Sequence, residues 1–286
     1  MKRHLAQLRH VALFSATAFF LLFATACAPE EPDLESNDPG VGLSMNVAQE
    51  EMRDYIVQHY GFNVDEISFD GERFLAEDVF FPEADFWENY TVPEGLTQTE
   101  DGSHKHYYNG SKVAAGTYYV NFGNLPSTWH SACRAALNDW NNLNLTVKIR
   151  EKTQSWHPTD ITISYFGFTC PSPHNWDRAS TWGRGQYPVW RQTVYGSWKI
   201  HPGTYVHINS SYCGAGNYTK RRWLFKHEFG HNLGFKHTDS GSGTLLYSGI
   251  YPCRAYTDSR SVMRSTYRGY GYNFTSCDTD VFQRHY

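Results

Sequence analysis

The chain lacks two features that would place it in other classes of protein. None of its six cysteines stands in a CxxC pair, the spacing of many cysteine zinc sites, so disulfides are the expected state of most of them. Its N-terminal apolar stretch, Val11 to Ala26, is shorter than the about 20 residues that a membrane helix needs. Because Lys2, Arg3 and Arg9 precede that stretch, it has the order of a secretory signal. We therefore expect an exported protein.

The signal, residues 1–27, ends in a candidate lipobox. Ala24-Thr25-Ala26 precedes Cys27, and small residues before a cysteine predict a lipidated N-terminus at Cys27. The alternative is ordinary cleavage after a small-x-small stretch. Because Ala28 follows Cys27, no acidic residue is present there to retain a lipoprotein at the inner membrane. We therefore expect a bacterial lipoprotein at the outer membrane, or a secreted protein. Contact with a membrane is expected only through this lipid anchor.

Basic residues are almost missing from one part of the chain. Residues 28–101 hold 20 Asp and Glu against Arg53 and Arg73, whereas residues 102–286 hold 20 Lys and Arg against 9 Asp and Glu. Residues 28–44 are predicted to be a disordered tether. We call residues 45–101 the acidic segment and residues 102–286 the basic region. Opposite charges of this size attract each other at short range, so the acidic segment is expected to dock on the basic region.

Apolar periodicity predicts an α+β fold without internal repeats. An Asp70-Gly71 turn separates the first two predicted strands. The predicted helices are 47–59, 127–141 and 218–233, and the predicted strands are 67–69, 74–81, 117–122, 145–149, 161–166 and 205–208.

The segment from His227 to His237 has the pattern HExxHxxGxxH. On a helix, His227 and His231 share one face a turn apart, and Glu228 lies beside them. A third histidine, His237, reaches the same point only if the helix ends. Gly234 permits that end because glycine adopts a left-handed cap at little cost. Three imidazoles with a free fourth position predict one catalytic Zn²⁺, with Glu228 as general base.

This pattern resembles the zinc-binding signature of the metzincins. The resemblance implies a zinc endopeptidase that cleaves polypeptides. It also implies a two-subdomain catalytic domain, 102–286, with a twisted sheet, an active-site helix, a backing helix and a small C-terminal subdomain. Met263, in Ser261-Val262-Met263-Arg264-Ser265, is expected to form the Met turn beneath the metal; alone it would be interpreted as a core methionine. Some metzincins have a tyrosine two residues after this Met, where Ser265 stands, so Tyr267 is only a candidate fifth ligand or oxyanion donor.

The chain is most similar in its motifs to bacterial metzincins of the myxobacterial protease B type, also called dual-action HEIGH peptidases. The likeness rests on His227 to Asp239, on Thr181 to Arg184, on the Met turn and on the acidic N-terminal unit. Phe229 stands where isoleucine is usual. By resemblance, 179–187 would be the sheet edge that pairs with an extended substrate; the alternative is an ordinary loop.

The acidic segment is expected to be an inhibitory pro-segment that acts within its own chain. Residues 74–79, Phe-Leu-Ala-Glu-Asp-Val, loosely resemble an astacin motif in which an aspartate blocks the zinc, although Glu77 replaces a glycine there. Asp78 is thus a candidate zinc ligand before activation. If 74–81 is one strand, Asp78 shares an apolar face with Phe74 and Phe80 and requires a metal or cationic partner. The alternative is that Asp78 meets a surface arginine or ends a strand.

We expect disulfides between Cys253 and Cys277, around the Met turn, and between Cys170 and Cys213, with Cys133 free. Other histidines and basic residues are assigned to exposed surface, not to a second metal or a nucleic-acid site: His104, His106, His201, His207, Lys220, Arg221 and Arg222.

Two other functions stay open. One is a catalytically silent surface-binding lipoprotein, against which the intact Glu228 argues. The other is a zinc amidase that acts on peptidoglycan.

Overall fold

A large mixed sheet with few helices organises the chain, which is compatible with the predicted α+β class. The structure, a computed structural model, describes residues 45–90, 106–166, 182–209, 217–239, 244–246, 258, 260–265, 267 and 273–286. The predicted signal, Cys27 and the tether lie outside these residues. None of the described helices is both long and apolar enough to cross a membrane.

The helices and strands follow the predicted order with shifted bounds. The helices are α1 (Val47–Tyr60), α2 (Phe86–Tyr90), α3 (Ser127–Asn142), α4 (Tyr218–Asn232) and α5 (Ser276–His285). The strands are β1 (Ile67–Phe69), β2 (Arg73–Ala76), β3 (Val79–Pro82), β4 (His106–Tyr108), β5 (Gly116–Asn121), β6 (Val147–Glu151), β7 (Ile161–Phe166), β8 (Gly183–Gln186), β9 (Val189–Gln192), β10 (Trp198–His201), β11 (Tyr205–Asn209) and β12 (Thr244–Leu246). The sequence prediction lacks two helices, α2 and α5, and four strands, β4, β9, β10 and β12.

The main sheet joins the acidic segment to the basic region. Its strand order is β1-β2-β3-β8-β11-β7-β5-β6. Strands β1 to β3 form an antiparallel meander, and β3 runs parallel to β8, with Val79 opposite Gly185 and Phe80 opposite Gln186. In the basic region β8 is antiparallel to β11, while β11, β7, β5 and β6 are parallel. The acidic segment therefore extends the sheet of the basic region at β8.

One predicted strand is wrong in a way that matters for the site. The run 74–81 is not a single strand but two, β2 and β3, which pair with each other across a turn at Glu77 and Asp78. Glu77 has a φ of 52°, a left-handed conformation that an extended strand cannot contain. Asp78 therefore does not share a strand face with Phe74 and Phe80. It lies at the tip of a hairpin.

Two hydrophobic cores lie on different parts of the chain. The larger core is built wholly from residues 113–286 and includes the apolar face of α3. The predicted helical spacing of that face is confirmed, and Cys133 is a free, buried thiol on it, as predicted. The smaller core consists of residues of the acidic segment together with Tyr187 and Val189. Both predicted disulfides include cysteines outside the described residues and stay predictions.

Asp278 joins α5 to the residues before Met263. It is fully buried, and its carboxylate accepts hydrogen bonds from the Ser261 hydroxyl and from the backbone N–H groups of Val262 and Thr275. A buried carboxylate with several donors stabilises the fold chiefly because its removal leaves those donors unsatisfied.

We expect Asp278→Ala to lower the free energy of unfolding by about 3 kcal/mol. The matched control is Asp54→Ala, because Asp54 is exposed on α1 and its loss should change stability by less than about 0.5 kcal/mol. Urea denaturation followed by circular dichroism measures both. Equal midpoints for the two variants would contradict the role given to Asp278.

Candidate metal centre

Helix α4 carries two of the predicted metal ligands. Its first turn is capped by Asn217, whose side chain accepts from the backbone N–H of Lys220 at 3.0 Å. At its other end Gly234 has a φ of 96°, and the N–H of Phe235 donates to Gly230 O at 3.0 Å. This is the glycine turn that the sequence predicts, and it brings His237 back beside the helix.

Each of the three histidines is oriented by a bond to its Nδ1 atom. His227 Nδ1 lies 2.7 Å from Val262 O, and His231 Nδ1 lies 2.7 Å from Phe235 O. His237 Nδ1 lies 2.7 Å from a carboxylate oxygen of Glu77. A carbonyl or carboxylate oxygen only accepts, so each Nδ1 carries the proton and donates it. In the neutral rings, each Nε2 then presents a lone pair.

The three Nε2 atoms meet at one point. His227 Nε2 is 3.1 Å from His237 Nε2 and 3.2 Å from His231 Nε2, and all three rings are buried. Unprotonated Nε2 atoms cannot hydrogen-bond one another, whereas a metal ion between them would bind all three lone pairs. Ligands at 2.0–2.1 Å around a tetrahedral ion lie about 3.3 Å apart, close to the separations here. The donor set therefore fits one transition-metal ion.

Asp78 completes the group from the acidic segment. Its Oδ2 lies 2.8 Å from Nε2 of both His227 and His237, and its Oδ1 lies 3.0 Å from His231 Nε2. These four residues are the cluster of metal-ligating type among the described residues, with ligand atoms within 4.8 Å of one another. Sequence reasoning placed Asp78 on a strand face, whereas the hairpin tip is what delivers it here.

Glu77, the residue that departs from the astacin-like motif, also contacts the histidine cluster. Its left-handed backbone is one that glycine adopts at little cost and other residues adopt at about 1 kcal/mol or more. The carboxylate that replaces glycine accepts the proton of His237 Nδ1. The departure from the astacin-like motif thus adds a second carboxylate to the site.

Charges across the cluster shift its proton equilibria strongly. Burial alone would raise the pKa of Asp78, but His231, His237 and His227 outweigh burial and hold that pKa well below its usual range. Burial would lower the pKa of His237, yet Asp78 and Glu77 raise it well above its ordinary value. Asp78 is therefore the anionic member of the group.

Glu228 lies next to the cluster but is not one of its four residues. It is buried, and burial followed by the charge of Asp78 raises the pKa of its carboxyl well above the usual value. Its Oε2 has no hydrogen-bond partner among the described residues. A buried carboxyl of shifted pKa beside a cluster of metal-ligating residues is a candidate functional group.

Two glycines of β8 make room for this helix face, and sequence reasoning missed them. A Cβ on Gly183 would meet Glu228 Oε1 at 2.5 Å, and a Cβ on Gly185 would meet the Cβ of His231 at 2.6 Å. Alternate glycines around Arg184 are the signal that could have found them, because residues two apart share a strand face. Strand β8 thus approaches α4 closely enough to confine Glu228.

Met263 and Tyr267 occupy different surroundings. Met263 is fully buried against Gly230, where an added Cβ would overlap its sulfur, and Met263 O accepts from the backbone N–H of Thr238. The Tyr267 ring lies 5.9 Å from Trp182 and 5.3 Å from Trp223. Trp223 in turn stacks on His227 at 4.8 Å.

One surface assignment is wrong. His207 is buried on Phe80, with ring centroids 4.5 Å apart, and burial together with Arg73 and Arg184 lowers its pKa to about 3. The basic residues at the start of α4 are partly exposed, and two of them also contact α3. Arg222 pairs with Asp139 of α3, and Arg221 lies over Trp129 at 4.4 Å.

We expect the purified protein to hold one divalent metal ion per chain. His231→Ala should remove most of it because one of three converging nitrogens is lost, whereas the exposed His59→Ala should retain it. Elemental analysis after dialysis measures both variants. Metal content unaffected by His231→Ala would contradict the site.

Comparison with known proteins gives only a distant fold likeness. No family model and no curated protein sequence matches the chain. Among solved structures, it is similar to one of myroilysin with a TM-score of 0.38 and 11% identity, over 62% of this chain and 82% of that one. A second myroilysin structure matches with a TM-score of 0.38 and 13% identity, over 70% of this chain and 98% of that one. Similarity at this level assigns neither a family nor an activity.

Proposed function

We propose that the chain is the precursor of a zinc-dependent endopeptidase of the metzincin type. The basic region would be its catalytic domain and the acidic segment its pro-segment. The observation that carries the proposal is the meeting of three imidazole Nε2 atoms with Glu228 beside them. Metal binding requires only the histidines, whereas peptide hydrolysis also requires a group that transfers protons, and Glu228 is placed beside them for that role.

Zinc suits the donor set better than other common ions. Three neutral imidazoles with one further position are typical of catalytic zinc, while magnesium and calcium prefer oxygen ligands. When bound, zinc would polarise the scissile carbonyl and acidify the attacking water. Glu228 would take the proton of that water and later deliver it to the leaving amine.

The surroundings of the histidines support a metzincin arrangement. The carbonyl of Val262, next to Met263, holds the His227 ring, and Met263 packs beneath the same helix at Gly230. These contacts are those expected of a Met turn. Tyr267 is proposed as an oxyanion donor that would approach the site from the Trp182 and Trp223 side.

Latency is proposed to come from two contacts of the acidic segment. Asp78 stands at the fourth position beside the three histidines, where the catalytic water would be needed. Strand β3 occupies the free side of β8, with Gly185 N–H donating to Asp78 O at 3.1 Å. A peptide substrate would pair with that same strand edge. Removal of the acidic segment would free both the metal position and the strand.

Glu228→Ala should abolish proteolysis without loss of metal. The precursor, cut between residues 94 and 112, is incubated with casein, and the variant is expected to retain less than about 1% of wild-type activity, since a general base contributes about 10²–10⁴-fold. Elemental analysis gives the control, because His227, His231 and His237 remain. An active Glu228→Ala enzyme would refute the mechanism. Metal-loaded wild type that cleaves peptidoglycan amides but no protein would favour the amidase.

Asp78→Ala should activate the uncut precursor. Loss of a ligation worth about 1.4 kcal/mol would raise casein cleavage about tenfold over the wild-type precursor. Asp65→Ala, an exposed change in the same acidic segment, is the matched control and should stay as latent as wild type. If the uncut wild-type precursor were as active as the cut form, the proposal that the acidic segment inhibits the enzyme would be refuted. Equal latency of Asp78→Ala and wild type would leave the pro-segment but remove the aspartate from its mechanism.

A further inference from the structure

A lysine next to the third histidine is buried under the acidic segment. Lys236 is 1% exposed. Its ammonium donates to Tyr60 O at 2.6 Å and lies 4.1 Å from the centroid of the Phe62 ring. Both contacts belong to the end of α1 and the residues after it, so they leave when the acidic segment leaves.

An aromatic ring of the basic region receives the same residues. Tyr187 stacks on Phe62 with centroids 6.1 Å apart and planes at 17°, and on Tyr60 at 5.8 Å and 20°. Phe81 meets its edge at 5.8 Å. Tyr187 belongs to the smaller core, which is otherwise built almost entirely from the acidic segment. Its ring is therefore covered in the precursor by side chains that the cut enzyme would lose.

Together, Tyr187 and Lys236 hold one aromatic ring beside the metal centre. Phe62 is contacted both by the parallel Tyr187 ring and by the Lys236 ammonium. Tyr187 lies 6.0 Å from the His231 ring, and Lys236 precedes His237 in the chain. Tyr187 also follows Gly185 by two residues, and Gly185 pairs with the residue after Asp78. At about 3.4 Å per residue, Tyr187 lies about 7 Å along β8 from Gly185, whose N–H donates to Asp78 O.

We propose that Tyr187 and Lys236 form a substrate subsite that selects an aromatic side chain close to the scissile bond. This inference rests on the proposed endopeptidase function and adds a specificity to it. Phe62 of the acidic segment would occupy the subsite until activation. A parallel ring and a cation together favour a π face over an aliphatic side chain. An acidic side chain would form an ion pair with the Lys236 ammonium, but its carboxylate would lie against the electron-rich face of the Tyr187 ring, which is unfavourable.

The experiment uses the full-length precursor, cut between residues 94 and 112, because the larger core is built without the acidic segment. Peptides that differ only by Phe, Ala or Asp are scanned through each position near the cleaved bond, and kcat/KM is measured. At one position Phe should exceed Ala by about tenfold in kcat/KM. Tyr187→Ala and Lys236→Met should each reduce that ratio severalfold, and Tyr187→Phe should restore it.

A binding measurement separates the subsite from the activity. Fluorescence anisotropy with the same peptides and the cut Glu228→Ala protein requires no turnover, and the same preference for Phe is expected. Tyr195→Ala, on the exposed β9–β10 turn, is the control that should change neither ratio, and metal content is checked in every variant. Selective Phe binding without cleavage would remove the proposed function but keep the subsite. Cleavage with no aromatic preference, or an Asp preference lost in Lys236→Met, would overturn the subsite.

Discussion

The meeting of three imidazole nitrogens, with His227 Nε2 at 3.1 Å from that of His237 and 3.2 Å from that of His231, is the constraint on which the rest of the site depends. A metal ion between them would bind all three lone pairs, and each ring is held in this orientation by an acceptor that receives the hydrogen bond from its Nδ1. Those acceptors come from separate places: Val262 O, Phe235 O and the Glu77 carboxylate. The orientation of the three rings therefore depends on four parts of the chain: α4, the glycine turn after it, the residues before Met263 and the acidic segment. Such outer bonds orient metal ligands and tune them.

The same helix is confined from the sheet side. Strand β8 has glycine at each position that faces α4, and its approach leaves room for the Glu228 carboxyl but for little else. Burial, followed by the charge of Asp78, raises the pKa of that carboxyl, so the close approach of β8 affects both the position and the pKa of the proposed base. Asp278, by fixing the turn before Met263 from α5, supports the opposite side.

The acidic segment covers side chains of the basic region at and beside the proposed metal centre. Its carboxylates face the histidines, its backbone carbonyl at Tyr60 meets Lys236, and its aromatic rings cover Tyr187. Buried cations and carboxylates are costly unless paired, so each of these contacts stabilises the docked state and penalises a partial departure. The contacts between the two regions are partly charged and partly apolar. The difference in net charge therefore predicts that they dock, but it does not predict which residues meet.

The sequence by itself determined the local features. The helical positions of His227 and His231, the turn at Gly234 and the buried face of α3 follow from the 3.6-residue period and from the backbone freedom of glycine, which act over a few residues. Only the tertiary structure decided where Asp78 lies, because a left-handed Glu77 turned an apolar run into a hairpin. It alone also placed Gly183 against Glu228 and Phe62 against Tyr187 and Lys236. These contacts join residues 45 or more positions apart, and their partners depend on strand register and helix packing, which no local period encodes.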